Sequence, residues 1–156
     1  MADSVEFSAF TQRELGKLAK TFTLMGDDAV EESRKVASDI AEFAKDEIKS
    51  AGYSRTKSGK AVRRVVDGAS ISKSSKTGRL SYGFAGQRFS GGATTQMLWG
   101  GLEFGSLKYK QFPSYSGRYG KGSRGWFIYP TLRKIQPELT GKYLRAMAEV
   151  IKRWGN

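Results

Sequence analysis

Residues 98–130 read LWGGLEFGSLKYKQFPSYSGRYGKGSRGWFIYP, and this stretch decides how the rest of the chain is read. Two apolar, aromatic segments, 98–104 and 126–130, flank a run of Gly, Ser, Tyr, Lys and Arg. Short apolar runs rich in aromatic residues and bounded by glycine predict buried strands. The insert holds four glycines (Gly117, Gly120, Gly122, Gly125), five cations and no acid, so it cannot bury a core of its own. A loop of this length inside a compact domain is usually functional or disordered. Residues 106–125 are therefore expected to be a basic, aromatic arm that orders on a partner. Lys108, Tyr109, Lys110, Phe112, Tyr115, Arg118, Tyr119, Lys121 and Arg124 are its candidate subunit-interface residues, because Tyr and Arg are typical interface anchors.

Upstream, the chain opens with a short candidate strand at Val5–Ala9. Thr11 and Glu14 fit a capping box for a helix that carries Leu15, Leu18 and Phe22 and ends at Gly26. Asp27-Asp28 opens the longest helix, with Asp28 and Glu31 repeating the capping pattern. Its apolar face runs through Val36, Ile40, Phe43, Ala44 and Ile48, widened by Ala29, Ser33 and Ala37. Glu32, Arg34, Lys35, Asp39, Glu42, Lys45, Asp46 and Lys49 make a solvated opposite face. After Gly52, Val62–Val66 reads as a strand, Asp67-Gly68 as a hairpin turn and Ala69–Lys73 as the returning strand. A turn at Ser74–Gly78 leads to an alternating strand at Arg79–Ala85. Gln87–Thr95 is a loop, and Gln96–Phe104 a strand with a bulge at Gly100-Gly101. Downstream of the arm, Pro130 ends a strand, 131–136 is a turn or short helix, and Pro137 opens the last helix. That helix carries Leu139, Tyr143, Ala146, Met147, Val150, Ile151 and Trp154 as its apolar stripe. The expected class is a single α+β domain over residues 1–156. Its N-terminal helices and C-terminal helix pack on a mostly antiparallel sheet with long Gly-rich loops.

Composition narrows the chemistry. There is no Cys and no His among 156 residues, which removes thiolate sites and the commonest general base and metal ligand. Glu103 is the one acid in an apolar segment. Lacking a His or a second close acid, it reads as a carboxylate that pairs with an Arg or caps backbone amides. No enzyme activity, cofactor or metal is expected. The glycines of GRYGKGSRG lack the strand–loop–helix context and the Lys-Ser/Thr ending of a phosphate loop. No apolar run reaches the ~18–20 residues that span a bilayer, and MADSVEFSAF does not resemble a signal peptide.

The net charge of +12 is unevenly placed. Residues 1–50 hold 7 Lys/Arg and 11 Asp/Glu, a net of −4; residues 51–156 hold 20 and 4, a net of +16. An acidic partner, nucleic acid or protein, is expected to meet the second half. Arg63, Arg64, Lys73, Lys76, Arg79 and Arg88 are the candidate contacts outside the arm.

Leu102-Glu103-Phe104-Gly105-Ser106 resembles the E-F-G-[ST] signature that closes the core sheet in the tail-completion family of long-tailed bacteriophages, the minor tail protein Z-like group. Arg79–Gly86 (RLSYGFAG), Trp99–Gly101, Gln111-Phe112-Pro113 and Gly125–Leu132 (GWFIYPTL) resemble further segments of that family, in the same order, over residues 27–154. The resemblance implies a virion protein at the head–tail joint, a homo-oligomer in a hexameric ring. Its neighbours would be a connector or stopper, a tail terminator and the tail tube, with genomic DNA passing through the channel. It implies assembly in the host cytoplasm and final residence in the neck. Tail-terminator or stopper roles, and a small basic nucleic-acid-binding protein, stay open as alternatives.

Overall fold

The computed structural model describes residues 4–6, 12–55, 59–72, 79–82, 88, 91–105 and 125–155. Five helices and three short strands follow in the order β1 (Ser4–Glu6), α1 (Gln12–Met25), α2 (Asp27–Tyr53), α3 (Gly59–Asp67), β2 (Ser70–Ser72), β3 (Arg79–Ser81), α4 (Thr95–Phe104) and α5 (Ile128–Trp154). The class is α+β, with helices dominating. The turn at 74–78 and residues 83–87, 89–90 and 106–124 of the Gly-rich loops lie outside the described residues.

The frame is an antiparallel pair of long helices. The start of α5 lies at the end of α2, where a methyl placed on Gly52 would meet Phe127 Cδ2 at 3.5 Å. The end of α5 returns to the start of α2, where Arg153 pairs with Glu32 and Trp154 Nε1 donates to Glu32 Oε2 at 2.6 Å. The packing logic is small against large. The deepest line of α2 is Ala29, Ser33, Ala37, Ala41, Ala44, Ile48 and Gly52, at intervals of three and four. Opposite it α5 buries Ile128, Leu132, Ile135, Leu139, Tyr143, Met147 and Val150. Small residues let the two backbones approach, and the larger α5 side chains fill the space between them. Val36, Ile40 and Phe43, expected at the centre of the α2 face, flank this line and are half-buried. Ile151 and Trp154, expected in the α5 stripe, are exposed.

Phe22 of α1 joins Ala29, Tyr143, Met147 and Val150 in one core cluster. Ile48, Val62, Val65, Val66, Leu80, Tyr82, Leu98, Trp99, Leu102 and Phe127 lie in the larger one. The sheet is antiparallel in the order β1-β3-β2, with Val5 and Ile71 both opposite Leu80. Leu80 is fully buried, so this small sheet contributes its central residue to the core. Leu15, Leu18 and the Thr11 cap fall outside the residues whose side chains are described.

Several expectations are corrected. Val62–Val66 is part of helix α3: Val62, Val65 and Val66 are buried at spacings of three and one, whereas strand alternation would have turned Arg64 inward. Gly68 is therefore not a hairpin turn; its N–H donates to Arg64 O at 3.1 Å and closes the helix. Residues 96–104 are helix α4, started by Thr94, whose hydroxyl accepts from Met97 N at 3.3 Å. Leu98, Trp99, Leu102 and Glu103 are its buried side, a helical spacing, and Gly100-Gly101 forms no bulge. Residues 126–127 lead into α5 and 128–129 open it, with no strand, and Pro130 sits in the first turn, where a missing N–H costs nothing. Pro137 lies within α5, between the buried anchors Ile135 and Leu139 that hold the helix on either side. At the start of α2, Gly26 is the N-cap with φ 107° and no side-chain cap forms, so Asp27 and Asp28 act through the helix dipole instead of through a capping box.

Candidate functional site

The two halves of the opening stretch meet in the core. Helix α4 carries Glu103 inward, fully buried. Its Oε2 accepts from the N–H groups of Phe127 and Ile128, each at 3.0 Å, and its Oε1 from that of Tyr129 at 2.9 Å. Those amides are the open end of α5, which has no side-chain cap of its own because Phe127 holds the N-cap position. Pro130, next in line, has no N–H to satisfy. A carboxylate at the positive end of a helix dipole is favourable on both counts, charge and hydrogen bonding.

The residues around Glu103 are shaped to this contact. Gly105 ends α4 at φ 84°, and its N–H returns to Gly101 O at 2.7 Å. Gly125 has φ 75°, and a methyl there would overlap Glu103 Oε1 and lie 2.9 Å from Cδ. Phe104 and Tyr129 stack at 5.4 Å between ring centroids. From α2, Arg55 donates from Nη2 to Trp126 O at 3.0 Å and sits 5.7 Å over the Trp126 ring. Gly105 and Gly125, which bracket residues 106–124 in the sequence, thus flank a junction locked by one carboxylate.

Burial pushes the Glu103 carboxyl up from its ordinary value, while the amides of Ile128, Phe127, Tyr129 and Trp126 pull it back down. The net direction is upward, so the folded chain holds this proton more tightly than the unfolded chain does. The stabilisation linked to it is fully present below the unfolded value, near 4.5, and is lost as pH rises through the folded one. Wild type compared with Glu103→Gln across this window by urea unfolding is expected to lose part of its advantage as pH rises. An advantage that grows with pH would mean that the amides outweigh desolvation.

Tyr82 lies beside this centre, fully buried, with its ring 6.4 Å from that of Trp99. Its hydroxyl has no hydrogen-bond partner among the described residues. Burial, and secondarily the Glu103 charge, push the phenol upward, so it stays protonated. Removing an unsatisfied buried hydroxyl relieves a desolvation cost. Tyr82→Phe is therefore expected to leave thermal stability unchanged or raise it, by up to about 1 kcal/mol; a clear loss would reveal a partner for the hydroxyl.

A second feature forms at the far end of α2. Helix α3 turns Lys60, Arg63 and Arg64 outward. Arg64 Nη1 donates to Arg88 O at 3.0 Å, bringing Arg88, itself exposed, onto the same surface. Tyr53 stands among them: Lys49 Nζ and Arg63 Cζ lie 5.5 and 5.3 Å from its ring centroid, and its hydroxyl donates to Asp67 Oδ1 at 2.6 Å. Of the candidate contacts, Arg63, Arg64 and Arg88 are brought together. Arg79 is in β3, with its side chain outside the described set. Lys73, Lys76 and the arm residues Lys108, Tyr109, Lys110, Phe112, Tyr115, Arg118, Tyr119, Lys121 and Arg124 lie outside the described residues.

No group of three acids among the described residues could hold a metal, and no described helix is long and apolar enough to cross a membrane. Compared with family models, curated proteins and solved structures, the chain matches none.

The sequence leaves Glu103 either paired with an Arg or capping backbone amides; the structure shows the amides. The available signal was the aromatic pair Trp126-Phe127 before a helix start, where Ser, Thr, Asp or Asn would normally cap. Arg55 carried no sequence signal, since its partner is a backbone carbonyl 71 residues away.

Proposed function

We propose that this protein is a structural subunit of a bacteriophage neck, a tail-completion protein that joins head and tail as a homo-oligomeric ring. The reading rests on the ordered motifs in which the chain resembles that family. One observation carries it further: Glu103 and Phe104 of LEFGS pack against Phe127, Ile128 and Tyr129 of GWFIYP in one junction. A fixed junction is what an arm-bearing assembly subunit needs, because it sets where the arm departs while the arm contacts neighbours. The buried carboxylate is committed to backbone amides, which makes it a structural group and argues against acid–base chemistry at this position.

In this reading residues 106–124 meet a neighbouring subunit or the next ring. Ordering a segment costs about 1–2 kcal/mol per residue in backbone entropy, so aromatic anchors such as Tyr109, Phe112, Tyr115 and Tyr119 must bury well to offset it. Mass spectrometry of purified virions is expected to find the chain in a low, fixed copy number. Hydrogen exchange is expected to be slower across 106–124 in the assembly than in the free subunit. Absence from virions would overturn the reading.

A further inference from the structure

We infer that the surface built by Lys60, Arg63, Arg64 and Arg88 binds the phosphate backbone of duplex DNA without reading its sequence. The argument begins with charge. From Lys49 to Asp67 the chain has six cations (Lys49, Arg55, Lys57, Lys60, Arg63, Arg64) and one acid, a net of +5. The single acid, Asp67, is already engaged by the Tyr53 hydroxyl and by Lys49 Nζ at 3.4 Å. Lys60, Arg63 and Arg88 are left without a carboxylate partner among the described residues, and all are exposed. An uncompensated cationic surface of this kind is the footprint of a polyanion.

Geometry selects the part of the polyanion. Lys60, Arg63 and Arg64 stand at i, i+3 and i+4 on a helix whose other side, Val62, Val65 and Val66, is fixed in the core. Side chains at that spacing lie about 5–6 Å apart at Cβ, close enough to reach successive phosphates of one strand. Among the described residues the surface holds one exposed aromatic ring, Tyr53, and it is already occupied by Lys49 and Arg63. Single-strand binders stack bases on free aromatic faces; the described residues of this surface offer cations instead. The one other polar side chain of α3, Asp67, is held by the Tyr53 hydroxyl and Lys49 and is not free to read a base edge, so contact stays on the backbone. The inference is independent of the neck reading, since a basic DNA-binding protein outside any virion would satisfy it equally.

The test is fluorescence anisotropy of the full chain with a mixed-sequence duplex of about 30 bp, over a salt series. Duplex affinity is expected to fall steeply with salt, as counterion release requires. The pair Lys60→Glu with Arg63→Glu is expected to weaken binding about tenfold or more and flatten the salt slope. The milder Lys60→Gln with Arg63→Gln, which keeps the fold if the reversal does not, is expected to lose about threefold. The control pair Lys17→Glu with Lys20→Glu removes the same charge from exposed positions on α1 and is expected to cost far less. Equal losses from both reversed pairs would assign binding to net charge and overturn the inference. So would a single strand bound more tightly than the duplex. So would a Lys60/Arg63 reversal that spares DNA binding and abolishes self-association, which would give the surface to an acidic protein face.

Discussion

Glu103→Ala is expected to lower the free energy of unfolding by about 3–5 kcal/mol, the range seen when one partner of a buried charge contact is removed. Three amide donors, those of Phe127, Ile128 and Tyr129, lose their acceptor at once. Each orphaned buried donor costs about 1–3 kcal/mol, and water cannot easily replace the carboxylate at a site with no exposure. A cavity in the core adds to the loss. Glu103→Gln keeps the volume and one oxygen acceptor but points an NH2 group at a donor, so its cost is expected to be smaller. Urea unfolding with intact two-state behaviour checks both values. A loss under about 1 kcal/mol for Glu103→Ala would show that the start of α5 is held by other contacts.

Gly125→Ala is the second large effect. Its φ of 75° is a left-handed conformation that costs an alanine about 1–2 kcal/mol. The added methyl also overlaps Glu103 Oε1 and lies 3.0 Å from Tyr129 Cβ, so the carboxylate must leave its amides. The two effects together are expected to cost about 3–4 kcal/mol. In a Glu103→Ala background the overlap with the carboxylate disappears, leaving the backbone strain, about 1–2 kcal/mol, and the close approach to Tyr129 Cβ. The two substitutions should therefore be strongly non-additive, as expected for residues in direct contact. Additive losses would separate the glycine from the carboxylate.

The long helices were legible because their apolar residues recur at three and four over many turns: α2 lies where that pattern predicts, and so does α5 from Pro137 onward, while its first turns were not foreseen. Their inner line was less so: alanines carry a weak hydrophobic signal, and the sequence reading favoured Val36, Ile40 and Phe43 over the small residues that make the contact. The errors at 62–66, 96–104 and 126–129 share one cause. Short apolar runs rich in valine and aromatic residues fit strand and helix alike, and β-branched content tilted the choice. Spacing within α3 pointed to helix, since Arg63 and Arg64 adjacent to each other cannot both face solvent on a strand. In α4 the two glycines suggested a bulge, and the Thr94 cap that starts the helix was overlooked. The site itself was half legible. Glu103 stood out as an acid among apolar residues, but its target is a set of amides that carries no side-chain signature. The α3 surface was visible only as charge; its shape depended on Val62–Val66 being helical.

The proposed neck role is tested most directly by electron microscopy of lysates from a phage that carries this gene with an early stop codon. The account predicts DNA-filled heads and complete tails lying separate, with joining restored when the protein is supplied from a plasmid. Heads accompanied by tails of uncontrolled length would move the protein to tail termination, and normal infectious particles would contradict the account.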